Sequence, residues 1–143
     1  MTMPRKLSAI ILSLCLLGLA TPTQAQNWGK NCLEKGGQIT TYRVSKIKQG
    51  SSRADFDKAV ALHVKWYRDH GYTENKIVIA DPADFDPKVG RLVANPDEVI
   101  TLHISGPTVL ADSHDAAWDA YVAAYKASSD IVTERRFCMP KTY

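Results

Sequence analysis

This sequence predicts a two-layer α+β domain with the element order β-α-β-β-α-β, and three observations carry that prediction. Two stretches, Arg53 to Tyr72 and about Asp112 to Ser128, place their apolar residues at helical spacing. Four others, Gln38 to Ile47, Lys76 to Ala80, Glu98 to Ser105 and Ile131 to Cys138, are rich in Val, Ile, Thr and Tyr and are of strand length. Breakers stand between the stretches, at Gly50, Gly71, Pro82 and Gly106-Pro107.

The chain ahead of the first strand has a different character. Arg5 and Lys6 precede an apolar run from Leu7 to Ala20, and Thr23-Gln24-Ala25 ends on a small residue, the pattern of a secretion signal covering residues 1–25. That run is short for a membrane span of roughly 20 residues, and no later run is longer, so no stable membrane insertion is expected after signal removal. Residues 26–143 then form a single domain, periplasmic or secreted. It carries 16 Lys and Arg against 15 Asp and Glu, without a basic stripe, which leaves no electrostatic case for nucleic acid. Cys32 and Cys138 remain in it, and in an oxidising compartment an even pair predicts a disulfide.

Taken in order, Asn27 to Gly37 is a polar lead-in. In the first strand Tyr42 and Val44 point one way and Thr41, Arg43 and Ser45 the other. Ser52 followed by Asp55 predicts a capped helix start, and Gly71 its stop. On this helix Phe56, Ala59, Val60, His63, Trp66, Tyr67 and His70 share one arc. Lys76 to Ala80 is a short strand. Asp81 to Asp97, with three prolines and Gly90, is expected to be an irregular loop. In Glu98 to Ser105, Ile100, Leu102 and Ile104 alternate with Thr101, His103 and Ser105. Asp112 or Ser113 is the expected cap of the second helix, whose Ala117, Trp118, Tyr121, Val122, Ala124 and Tyr125 share a face.

A domain of this size and order is expected to fold as a ferredoxin-like four-stranded antiparallel sheet with both helices on one face. In that arrangement the end of the fourth strand lies beside the start of the first, which brings Cys138 toward Cys32. On element order and on a His- and aromatic-bearing first helix, residues 38 to 138 resemble the dimeric α/β-barrel superfamily, which includes small monooxygenases and stress-response proteins. The resemblance implies a ligand cavity between helices and sheet, and a homodimer packed sheet to sheet. The expected partner-facing set is Thr41, Arg43, Thr101, His103 and Ser105, polar for a dimer core.

His63 sits at the centre of the buried arc, where an aliphatic residue is usual, so it needs a buried partner or a cavity. Trp66, Tyr67, Trp118, Tyr121 and Tyr125 face the sheet with it. Such a group suits a small organic ligand, with His63 as hydrogen-bond donor or as the catalytic base of a small-monooxygenase-type enzyme. The same residues also suit an aromatic core in an interaction module without a pocket. No metal is expected, because seven helical residues put His63 and His70 about 10.5 Å apart along the axis. Asp81, Asp84 and Asp86 lack a calcium-loop pattern. No cofactor is implied, since Gly36-Gly37 opens no helix as a phosphate loop would, and no Gly-x-Ser-x-Gly elbow is present. Arg43, His103 and Arg135 are candidates for an anion-binding patch on the open sheet face.

Overall fold

The computed structural model describes residues 23–141; the predicted leader up to residue 22 lies outside them. The elements are helix α1 (Thr23–Glu34), strand β1 (Gly37–Ile47), helix α2 (Arg53–Asp69), strands β2 (Lys76–Ala80), β3 (Ala83–Asp86), β4 (Arg91–Ala94) and β5 (Glu98–Ile104), a 3-10 turn at Ala111–Ser113, helix α3 (Ala116–Ser128) and strand β6 (Ser129–Pro140). Among the described residues the result is a mixed α+β fold with three α-helices, a four-stranded antiparallel sheet and a separate two-stranded one. In the larger sheet the order is β2-β5-β1-β6.

Local chemistry accounts for most boundaries. The α2 start is a complete capping box, with the Asp55 amide donating to the Ser52 hydroxyl and the Ser52 amide to the Asp55 carboxylate. Its end is a Schellman turn, in which the Tyr72 amide reaches the Tyr67 carbonyl and Gly71 takes φ +78°. The predicted arc of α2 is buried from Phe56 to Tyr67, while His70 stays at the surface. On α3 the predicted face is shallower: Tyr121 is buried, Trp118 and Tyr125 are half-buried, and Ala117 is exposed.

Four expectations need correction. The lead-in at Asn27 to Gly37 is mostly helix α1, which carries Cys32 onto the end of β6. Cys32 and Cys138 lie at disulfide distance with their Cα atoms 5.6 Å apart. Gly37 is needed there, because a Cβ at this position would lie 2.4 and 2.8 Å from the two sulfurs. The expected irregular loop is a β3–β4 hairpin, closed where the Gly90 amide meets the Asp86 carbonyl. Asp86-Pro87 before Gly90 is turn chemistry that signals it. The α3 cap is Asp115, not Asp112 or Ser113; its carboxylate takes the Trp118 amide at 2.8 Å and also the Trp66 indole N–H at 2.9 Å.

The fourth correction matters most for function. Val99, Ile77, Ile79 and Ile47 pack against Phe56 and Val60 of α2, so the helix-facing positions of β5 are Val99, Thr101 and His103. Register places Arg43 opposite Thr101 and Thr41 opposite His103. The set expected on the open face is therefore turned toward the helices, and Tyr42, Val44, Val78, Ile100 and Leu102 point away from them. Ser105, at φ +52°, leaves the alternation and bonds Gln38 through its hydroxyl.

Candidate functional site

The space between the helices and the sheet is filled differently at its two ends. At one end Phe56, Val60 and Val99 close the layer with aliphatic neighbours. At the other, a cavity of about 470 Å³ remains, walled by Tyr67 and His63 of α2 and Trp118, Tyr121 and Tyr125 of α3, and floored by Arg43, Ser45, Thr101 and His103 of the sheet. Its volume lies in the range of small-molecule sites. Lys48, Lys126 and Asp130 stand among its lining, with Lys48 3.2 Å from Asp130.

His63 is 6% exposed and held by rings on several sides. Its imidazole stacks on Tyr121 at 4.4 Å and meets Tyr125 and His103 edge-on, and its Nδ1 lies 3.3 Å from the Tyr125 hydroxyl. Burial, reinforced by His103 and Arg43, pushes its pKa down to about 3. Burial and Arg43 lower His103 to about 4. The phenols of Tyr67, Tyr121 and Tyr125 are all raised, chiefly by burial. At neutral pH the centre of the cavity therefore holds two neutral imidazoles and three protonated phenols.

His103 is oriented by residues outside the cavity. Arg68 donates to the Asn75 side-chain oxygen at 2.7 Å and to its backbone carbonyl at 2.6 Å. A guanidinium has no acceptor, so the amide oxygen must face it, and the amide nitrogen must face His103 Nε2, 3.2 Å away. Nε2 is thus the acceptor and the ring proton sits on Nδ1. Gly106 presses on the same ring: a Cβ there would lie 3.0 to 3.2 Å from three of its atoms. The strained Ser105 lies between these two residues in sequence, a place where backbone cost is often tied to a site.

Arg43 is oriented from one side only. Its Nε donates to Glu134 at 2.7 Å, which holds that carboxyl below its usual range, and its terminal nitrogens have no hydrogen-bond partner among the described residues.

Of the residues singled out in the sequence, His63, Tyr67, Trp118, Tyr121 and Tyr125 meet at the cavity. Trp66 does not line it; 1% exposed, it packs between Trp118 and His70 and joins α2 to the α3 cap through Asp115. Sequence reasoning singled out Arg43 and His103 but set them on the open face, and so missed that they floor the cavity. The signal was available in Val99-Thr101-His103, one strand face whose first member is plainly core. Arg135 pairs opposite Tyr42, on the face away from the helices, and does not join Arg43 and His103. Among the described residues no three His, Cys, Asp or Glu side chains form a group able to hold a metal ion, and no helix is long and apolar enough to cross a membrane.

No family model matches this chain, and neither a curated protein nor a solved structure does.

Proposed function

We propose that this is an exported small-molecule-binding protein that takes an organic ligand into the cavity between α2, α3 and the sheet. The observation that carries this is the polar core at His63: imidazoles and phenols, with His63, Tyr67 and Tyr121 buried, pack on one another and still leave open volume beside them. Desolvating them is costly unless something returns the free energy. A binding role is favoured over an acid–base one because a group with a pKa near 3 accepts protons poorly at neutral pH. The monooxygenase-type alternative keeps His63 as a catalytic residue and requires turnover that His63→Leu abolishes.

The ferredoxin-like assignment draws support from the order β2-β5-β1-β6 and from α2 and α3 packing on one sheet face, and the dimeric α/β-barrel resemblance rests on element order. A homodimer draws support from the row Val78, Leu102 and Tyr42 on the other face, far more apolar than the sequence suggested. Export to the periplasm or beyond rests on the leader and the cysteine pair. The binding proposal is tested by mass spectrometry of small molecules released from purified protein, compared with His63→Leu and Tyr121→Phe. A molecule retained by the parent and lost from both variants is the expected result; identical extracts from all three would sink it.

A further inference from the structure

Resting on the binding proposal above, we infer that the cavity is built for an aromatic monocarboxylate, its carboxylate received by the free end of the Arg43 guanidinium and its ring lying beside Tyr121 and Tyr67. The polar side chains on the floor and walls can almost all donate; only Asp130 among them cannot. Glu134 fixes the plane of Arg43 through Nε and leaves both terminal nitrogens open, the geometry that grips a carboxylate with two parallel hydrogen bonds. His103 offers Nδ1–H, because Asn75 already occupies Nε2. The tyrosine hydroxyls remain protonated. Three cationic side chains line the cavity against one carboxylate, Asp130, which is already beside Lys48. A donor-rich, cation-rich lining is poorly matched to a neutral or basic ligand, whose acceptors are fewer and whose charge would go unanswered.

The walls select the rest of the ligand. Tyr121 and His63 are stacked at an interplanar angle of 17°, Tyr67 is tilted beside them, and Trp118 and Tyr125 stand nearly on edge. Flat faces at these angles accommodate a ring by stacking and edge contact. A small hydrated dianion such as inorganic phosphate would leave them empty, and one open guanidinium fork suits a single negative charge.

The experiment titrates the mature protein by calorimetry at neutral pH with 2-naphthoate, with 2-naphthamide as the same body without charge, and with inorganic phosphate. Naphthoate is expected to bind at least about tenfold more tightly than naphthamide, the scale of one charge-assisted pair. Phosphate is expected neither to bind nor to displace it. In Arg43→Met combined with Glu134→Gln, which removes both partners of the pair, the preference should fall to about twofold or less. Near-ultraviolet circular dichroism reports whether that variant is folded; if it is not, Arg43→Lys, which keeps the charge but loses the fork, must still reduce the preference. Equal affinity for naphthoate and naphthamide overturns the carboxylate while leaving the binding proposal standing. Displacement of naphthoate by phosphate overturns the aromatic half of the inference. Binding of none of the three overturns the inference and the proposal beneath it together.

Discussion

The two ends of the helix–sheet interface share α2, β1 and β5, yet one, completed by β2, is closed and the other, completed by α3 and β6, is open. Where Phe56, Val60 and Val99 meet Ile47, Ile77 and Ile79, the layer is closed by apolar side chains, with Phe56 also bordering the cavity. Toward α3 and β6, His63, Thr101, His103 and Arg43 replace the aliphatic residues, and about 470 Å³ stays unfilled. The lesson is energetic. The closed end contributes stability by burying apolar area at roughly 25 cal/mol per Å². The open end gives part of that up, and its residues are arranged to keep proton, charge and ring orientation fixed.

That contrast can be tested at several magnitudes. The largest effect belongs to neither end: linking Cys32 to Cys138 closes a separation of 106 residues, and Cys32→Ser with Cys138→Ser should cost about 4 to 5 kcal/mol. Urea unfolding of the double variant measures it, and ligand affinity of the folded fraction should be unchanged.

Mild acidification should strike the open end first, before the capping carboxylates of Asp55 and Asp115, which are held below their ordinary range, take up protons. Below pH 6.5 the unfolded chain protonates His63 and His103, whereas the folded chain resists until about 3 and about 4 respectively. Across that window the unfolded state binds more protons, so stability falls as pH falls; above it these groups contribute no pH dependence. His63 alone should account for a loss on the order of 5 kcal/mol over the whole window. Melting temperatures against pH would show it, and in His63→Leu the slope should be markedly shallower. An unchanged slope would mean that His63 is as easily protonated in the fold as out of it.

At the closed end Val99→Ala should cost about 2 kcal/mol through lost burial and a small void, with ligand affinity intact. His63→Leu should do the reverse, leaving stability the same or about 1 kcal/mol higher while abolishing binding. If it unfolds the protein instead, His63 belongs to a structural network and the contrast between the ends fails. The smallest effect is a control away from the cavity. The Thr40 hydroxyl is buried without a partner among the described residues, so Thr40→Val should stabilise by about 1 kcal/mol and leave binding untouched.

Much of the fold was legible because it is decided within a few residues of chain. The Ser52 and Asp55 box, Gly71 after Arg68, and the apolar arc from Phe56 to Tyr67 are local patterns, and the helix they describe is the one observed. The cysteine pair was legible because only two cysteines follow the predicted leader. The site was legible in part: the helical walls follow from periodicity, so His63 and the tyrosines were found. Trp66 was misplaced because its arc touches both the cavity and the helix–helix seam, and only the position of Asp115 decides between them.

By itself, then, the sequence determined the main helices, the strands of the large sheet and the pairing of its cysteines. Tertiary structure alone decided which face of the sheet turns inward. Alternation along a strand specifies two faces and says nothing about which one the helices cover. The usual tie-breaker, apolar inside, misleads here because the inner face carries a polar cavity, with Arg43, Thr101 and His103 beside a conventional core at Val99. The orientation of His103 was likewise beyond local reading. It depends on Arg68 and Asn75 reaching it from the end of α2 and the segment before β2, a contact that exists only once the layers have packed.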